Sequence, residues 1–136
     1  MADKPTEPRK LATPEPNVET QPFWEAAAEG KLLIKRCNAC DQPHYYPRAL
    51  CPRCLSADTY WVETAGKGAI YSLSTMRRGA GAPYTLAWVT LDEGPAVLTN
   101  IATEDHDALR IGQRVRVQFA PTEGGPPVPM FAPDAE

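Results

Sequence analysis

Four cysteines are the residues of this chain whose type and spacing most directly indicate chemistry. They form two C-x-x-C pairs within the segment CNACDQPHYYPRALCPRC, at Cys37 and Cys40 and at Cys51 and Cys54. A C-x-x-C turn directs two thiolates toward one point, and two such turns facing each other form a tetrahedral four-sulfur metal site. The ten residues between the pairs are enough for a tight hairpin that brings them together. We therefore predict a structural zinc ion, because four protein ligands leave no position for a catalytic water.

Three other uses of the cysteines are open at the level of the sequence. Iron in a rubredoxin-like site takes the same four ligands and would give a coloured electron carrier. A redox-active dithiol needs a βαβ context that the sequence lacks. Disulfides are disfavoured because the N-terminal stretch has no apolar export segment and no run is long enough to span a membrane. This pattern predicts a cytoplasmic, reducing location.

The segment between the cysteine pairs carries further side chains that a rigid hairpin would display. His44 is predicted to lie at the hairpin tip and not to bind metal, since four cysteines already complete the ligand set. Tyr46 and Arg48 are predicted to face a partner or a nucleotide from the same hairpin. The metal would then serve to fix a surface.

Other polar clusters give weaker indications of chemistry. Asp105, His106 and Asp107 are consecutive at a predicted helix start, where their side chains point in different directions and the carboxylates favour the helix dipole. The glycine-rich MRRGAGAPY lacks the ending of a phosphate-binding loop and is interpreted as a long hairpin loop. Arg77 and Arg78 at its entry are the candidate anion ligands. A net charge of −3 argues against general attraction to nucleic acid or an anionic membrane.

Predicted β-strands supply most of the framework for these residues. Segments rich in β-branched and aromatic residues alternate with glycine, proline or acidic turns. The strands are expected at 31–37, 60–66, 68–78, 84–92, 96–103 and 114–120. EDHDALRIGQ suits a single helical turn ending at Gly112. The C-terminal PPVPMFAPDAE is predicted to be too proline-rich for a central strand.

The N-terminal part divides into a tail and a short helix. Residues 1–20 are proline-rich and poor in apolar groups, which predicts a disordered tail able to lie on a partner. QPFWEAAAEG predicts a helix from Pro22 to Glu29, stopped by Gly30. Its apolar Phe23 and Trp24 either pack onto the protein or anchor a partner surface.

The strand pattern predicts a mostly β fold. One brief helix before the last long strand suits a small Greek-key barrel of the oligonucleotide/oligosaccharide-binding (OB) type, with an open sandwich as the alternative. We expect three regions: a tail at 1–20, a helix plus zinc ribbon at 21–62, and an OB-fold domain at 63–136.

From residue 22 onward the chain resembles a family of small proteins that accompany acyl-CoA enzymes. These proteins join an N-terminal helix and a rubredoxin-like zinc ribbon to a C-terminal OB fold. The resemblance rests on a combination of short motifs: Phe23-Trp24, both cysteine pairs, Tyr46-Pro47-Arg48, Pro83-Tyr84 and Ile111-Gly112. Asp41 departs from the glycine usual in such knuckles, but aspartate tolerates a left-handed backbone.

The resemblance implies a non-catalytic subunit that forms a hetero-oligomer with a thiolase-like enzyme. Such partners include thiolases, acyltransferases and steroid side-chain aldolases, which form or cleave carbon–carbon bonds of acyl-CoA thioesters. The expected role is to stabilise the partner and to assist binding or channelling of the acyl-CoA. A single-stranded nucleic-acid-binding OB module is the alternative, although the sequence shows no basic, aromatic face.

Overall fold

The computed structural model describes residues 11–78 and 81–134 of the 136-residue chain. One α-helix, eight strands and one 3-10 turn follow one another in this part of the chain. They are α1 (Gln21–Ala28), β1 (Leu33–Cys37), β2 (Pro43–His44), β3 (Thr59–Glu63), β4 (Lys67–Met76), β5 (Tyr84–Leu91), β6 (Ala96–Ile101), η1 (His106–Ala108), β7 (Arg114–Thr122) and β8 (Gly125–Pro133).

Strands β1 to β3 form a small antiparallel sheet in the order β2-β1-β3. The predicted strands on either side of the cysteine segment pair directly with each other, with Cys37 opposite Thr59. The short β2 adds His44 opposite Lys35 on the other edge of β1. The chain between the cysteine pairs is therefore held against β1 near its start by β2, and β3, which follows the second pair, occupies the other edge of β1.

The remaining strands close into a five-stranded barrel in the order β4-β5-β6-β8-β7. β4 also pairs with β7, which completes the ring. Side chains alternate between the interior and the surface along β5, as expected for a barrel wall. Gly68 lies at a close crossing of strands, since a Cβ atom there would overlap the carbonyl oxygen of Thr90 and lie 2.9 Å from Val89 Cγ1. The mostly β architecture predicted from the sequence, a helix and ribbon followed by an OB-like barrel, is confirmed.

The proline-rich C-terminal segment forms β8 inside this barrel, so the prediction that it is not a central strand is wrong. The Asp134 N–H donates to the Arg114 carbonyl at 3.0 Å, which makes this a hydrogen-bonded pair of the β7–β8 ladder. Such pairs alternate along an antiparallel ladder. Pro133 and Pro129 each lie an odd number of residues before Asp134. They are therefore at the non-hydrogen-bonded positions of β8, where no N–H has to be donated to β7. On its other side β8 pairs with β6 only at Phe131, in a parallel contact. This short pairing needs few backbone N–H donors from β8.

The short helical segment between β6 and β7 also differs in detail from its prediction. The helical turn spans only His106–Ala108 and is 3-10 in type. Gly112 does have a positive φ of 88°, but it lies in a later turn and its N–H donates to the Ile70 carbonyl at 2.7 Å. The glycine therefore serves the turn into β7 and not the end of the helix.

A single cluster of buried apolar residues joins the helix, the ribbon and the barrel. Phe23 and Trp24 on α1 and Ile34 on β1 belong to it together with Val89 and Phe131 of the barrel. The predicted boundary at residues 62 and 63 lies at the end of β3, and the core is shared across it. Burial in this shared core fixes the ribbon against the barrel.

Residues 11–20, part of the predicted tail, form specific contacts with one another and with the barrel. Thr13 Oγ1 donates to the Glu123 carbonyl at 2.9 Å. The Asn17 N–H donates to Thr20 Oγ1 at 3.1 Å, and the Thr20 N–H donates to Asn17 Oδ1 at 2.9 Å. These local bonds stabilise the turn ahead of α1, while the Thr20 side chain forms no cap hydrogen bond with the helix itself. Residues 1–10 of the predicted tail lie outside the described residues.

Candidate functional site

The two C-x-x-C segments form a pair of matching turns. The Asp41 N–H donates to the Cys37 carbonyl at 2.9 Å, and the Leu55 N–H donates to the Cys51 carbonyl at 2.8 Å. The residue that closes each turn has a left-handed backbone, with φ of 60° at Asp41 and 67° at Leu55. The tolerance of Asp41 was expected. Leu55 is a bulky residue in the same conformation, and its identity gave no signal of it.

The turns bring all four cysteine sulfurs together. Their Sγ atoms lie within 4.8 Å of one another, with Cys37 and Cys54 3.5 Å apart and Cys40 and Cys51 3.7 Å apart. These separations exceed a disulfide bond of about 2.05 Å. A tetrahedral zinc site with Zn–S bonds of about 2.3 Å has sulfur–sulfur edges of about 3.8 Å. The cluster therefore fits the predicted four-thiolate site.

The local electrostatics favour the thiolate at Cys51 but oppose it at Cys40 and Cys54, where burial and the neighbouring sulfurs raise the pKa of the thiol. Backbone N–H groups of Cys54 and Arg53 lower the pKa of the Cys51 thiol to about 7. The Arg53 N–H lies 3.4 Å from Cys51 Sγ. Cys37 and Cys51 are buried, whereas Cys54 is exposed on one side. With four sulfur ligands, a bound zinc ion would have no open coordination position, so its contribution is to hold the two turns together.

His44 is a buried strand residue, which corrects the prediction of a displayed hairpin tip. Its side chain is 5% exposed, and both ring nitrogens lack a hydrogen-bond partner within the described residues. Burial and the neighbouring Lys35 ammonium lower the pKa of the imidazole. Lys35 is itself 8% exposed, and its ammonium donates to the Arg48 carbonyl at 3.2 Å. The His44 imidazole is therefore neutral and lies beside the buried Lys35 ammonium.

The aromatic residues proposed as partner contacts divide into two groups. Phe23 and Trp24 are 1% and 9% exposed and pack in a T-shaped pair with ring centroids 4.8 Å apart. They fill the chain's own core, so they offer little surface to a partner. Trp24 Nε1–H donates to the Tyr46 hydroxyl at 3.2 Å. Arg48 is exposed, stacks over the Tyr46 ring at 5.4 Å and forms an ion pair with Glu19.

The candidate anion ligands lie at the entry to the β4–β5 loop. Arg77 is exposed and pairs with Asp107 of η1. Arg78 is exposed as well. The structure thus brings Arg77 to the Asp-His-Asp segment, a juxtaposition that the sequence alone did not indicate.

His106 is joined to the barrel through two threonine hydroxyls. Its Nδ1 lies 2.8 Å from Thr85 Oγ1, and that oxygen lies 2.7 Å from Thr75 Oγ1. Thr85 is fully buried. The sequence indicated only a polar residue at a helix start for His106, since the pairing of β4 with β5 that places Thr75 opposite Thr85 is not visible in it.

The outer face of β5 and β6 exposes three large apolar side chains, which we call the barrel face. Leu86, Trp88 and Leu98 are 41%, 45% and 53% exposed, and Trp88 lies directly opposite Leu98. A groove of about 190 Å³ runs between these side chains and β4. The residues paired with Leu86 and Trp88 across the strands, other than Leu98, are uncharged: Ser72, Ser74 and Asn100. The next pair along β5 and β6, Thr90 and Ala96, is uncharged as well. The face has an aromatic ring but no cation to neutralise phosphate, so it lacks the features of a nucleic-acid platform.

Two family profiles match this chain along most of its length. Residues 24–59 match the ChsH2 rubredoxin-like zinc ribbon domain, and residues 61–120 match the ChsH2 C-terminal OB-fold domain. A DUF35 domain-containing scaffold protein of Methanothermobacter thermautotrophicus is 31% identical over 65% of this chain and 71% of its own length. The chain belongs to the ChsH2/DUF35 family. The resemblance seen in the sequence and the prediction of a structural zinc ion are thereby confirmed.

Two proteins similar to this chain have names that mention an enzyme. One structure, described as Ltp2-ChsH2(DUF35) aldolase, contains a chain 32% identical to this one, with a TM-score of 0.77 over 88% of this chain and 98% of that chain. A probable enoyl-CoA hydratase alpha subunit of Thermomonospora curvata is 34% identical over 82% of this chain. The chain spans only 36% of the length of that hydratase subunit.

A DUF35 structure from Sulfolobus solfataricus shares the fold at 13% identity, with a TM-score of 0.65 over 86% of each chain. Within the described residues, no helix has the length and apolar character needed to cross a membrane.

Proposed function

We propose that this protein is a non-catalytic, zinc-containing scaffold subunit of an acyl-CoA enzyme, with the active site in a thiolase-like partner. The partner would be a thiolase, an acyltransferase or a steroid side-chain aldolase, and the two chains would form a hetero-oligomer. The observation that carries the proposal is the match over 98% of a ChsH2 chain described together with Ltp2 as an aldolase. The names of the DUF35 relatives, which call them scaffold proteins, agree with it.

The chemistry of the chain supports placing catalysis in the partner. The four cysteine sulfurs form one cluster, so a bound metal would be saturated and no thiol would remain as a nucleophile. Thr85 is the hydroxyl that contacts His106, but it is fully buried and no substrate can reach it.

The barrel face is the surface that best suits the partner. It groups Leu86, Trp88 and Leu98 on adjacent strands without a charge among their outward neighbours. Exposed clusters of this kind mark protein interaction sites, and tryptophan is enriched among residues that dominate binding energy. We place the main contact with the thiolase-like subunit here. Tyr46 and Arg48, on the ribbon, would form a second and more polar contact.

The acyl-CoA would pass close to the β4–β5 loop. Arg77 and Arg78 supply positive charge there for the phosphates of CoA. Arg77 pairs with Asp107 in the structure, so an incoming phosphate would have to replace that carboxylate. Arg78 would be the first group to meet the nucleotide.

Purification with and without the partner tests the proposal. A candidate thiolase-like partner would be expressed alone and together with this chain, and yield, stability and acyl-CoA turnover would be measured. We expect a complex that co-purifies and a partner that is less stable or less active alone. A partner that is fully active and stable alone, and never co-purifies with this chain, contradicts the proposal.

A further inference from the structure

A pocket of about 270 Å³ opens between the start of β5, the end of β6 and the segment that carries η1. Much of its wall is apolar and includes Leu11, Pro83, Ile101 and Met130. His106 is one of the few polar side chains that line it. Apolar walls with a small number of placed polar groups are typical of small-molecule sites. The volume lies just below the range of about 300–1,000 Å³ that is typical of ligand pockets, which suits a small organic group and not a nucleotide.

The His106 ring is held in this pocket by one of its two nitrogens. Nδ1 is engaged by the buried Thr85 hydroxyl, whose other neighbour is the Thr75 hydroxyl at 2.7 Å. Across residues 11–78 and 81–134, no group forms a hydrogen bond with His106 Nε2. The wall therefore carries an oriented imidazole whose second nitrogen is available to a ligand.

The protons in this chain of hydrogen bonds can be arranged in two ways, which differ in whether Nδ1 or Nε2 of His106 carries the ring proton. If Thr75 donates to Thr85 and Thr85 donates to Nδ1, both hydroxyl protons are used inside the protein. The opposite direction would have Nδ1–H donate to Thr85 and would leave the Thr75 proton without an acceptor among the described residues. The first arrangement satisfies both hydroxyls and Nδ1 within the protein, and it leaves the Nε2–H at the pocket wall as the unpaired donor, which a ligand in the pocket can satisfy.

We propose that this pocket binds a small, uncharged, mainly apolar molecule through a carbonyl oxygen that accepts a hydrogen bond from His106 Nε2–H. Neutral amides and esters belong to this class. An anion is disfavoured because the nearby Arg77 is already paired with Asp107, and a cation cannot accept the hydrogen bond from Nε2–H. Binding is a property of this chain alone and does not depend on the partner proposed above.

Nuclear magnetic resonance of the full-length chain tests the inference, because its two histidines give two easily separated sets of ring signals. A long-range ¹H–¹⁵N spectrum is expected to show His106 as the Nε2–H tautomer. Hexanamide is the probe, and hexylammonium, of equal chain length but without a carbonyl, is the matched control. Hexanamide should shift the His106 and Ile101 signals in a saturable way, whereas hexylammonium should not.

Two variants and one control separate recognition from structure. His106→Phe should weaken hexanamide binding about 3- to 10-fold, the factor that corresponds to one lost neutral hydrogen bond. Thr85→Val should shift the tautomer balance and weaken binding. Asp105→Asn, an exposed neighbour, should change neither. The inference is overturned if His106 is the Nδ1–H tautomer, if hexanamide causes no saturable shift, or if His106→Phe binds it as well as the unchanged protein.

Discussion

Replacing Trp88 with serine is expected to weaken association with the thiolase-like partner about 100-fold. The side chain is 45% exposed in the free chain. With about 250 Å² for a whole tryptophan, ~110 Å² is available for burial, worth ~3 kcal/mol at ~25 cal/mol per Å². A difference of ~3 kcal/mol corresponds to roughly a 100-fold change in Kd. The covered remainder of the side chain, ~140 Å², is worth up to ~3 kcal/mol to the fold by the same measure, so the stability of the variant has to be measured separately from its binding.

Isothermal titration calorimetry with the purified partner measures this effect directly. Ile111→Ser is the matched control, since Ile111 is 72% exposed but lies in a turn outside the barrel face. Thermal unfolding of both variants checks that each remains folded. The reasoning fails if Trp88→Ser binds within twofold of the unchanged chain, or if Ile111→Ser weakens binding by as much.

Three further perturbations test the structure behind this surface. Removing zinc with a chelator, or replacing Cys51 with serine, should abolish amide-exchange protection in residues 33–63, because the sulfur cluster holds both turns together. Retained protection would contradict a structural metal. Gly68→Ala should lower the free energy of unfolding, measured by denaturant titration, by ~1–3 kcal/mol, since its Cβ would overlap the Thr90 carbonyl. An unchanged free energy of unfolding would show that the two strands do not approach so closely. The pKa of His44 is lowered in the fold by burial and by Lys35, so stability should be full above the unfolded pKa of about 6.5 and should fall below it. His44→Phe should flatten this dependence between pH 5 and 7.5 in thermal melts, and an unchanged slope would show that another group titrates.

The ribbon was the most predictable part of the fold because its signals are local. The C-x-x-C spacing fixes the turns, and the strands beside them contain enough apolar residues to be recognised. Asp41 could be assigned a left-handed backbone from its residue type. Leu55 could not, because leucine rarely adopts that conformation and only the symmetry of the two turns demands it.

The errors concern residues whose environment depends on distant parts of the chain. The prolines of β8 argued against a central strand, yet Pro129 and Pro133 occupy positions where β7 needs no donor, which depends on register. His44 looked like a hairpin-tip residue until β2 placed it against β1. The hydrogen bond between Thr85 and His106 joins residues 21 positions apart, and no sequence pattern indicates it.

Reconstitution of the complex from separately purified subunits tests the central claim most directly. Turnover of the acyl-CoA substrate would be measured for this chain alone, for the thiolase-like subunit alone and for the mixture, with the mass of the mixture determined by light scattering. The scaffold account predicts no turnover by this chain, a stable hetero-oligomer, and higher or longer-lived activity of the partner within it. Turnover by this chain alone, or a mixture in which the subunits stay separate and the partner is unaffected, would contradict it.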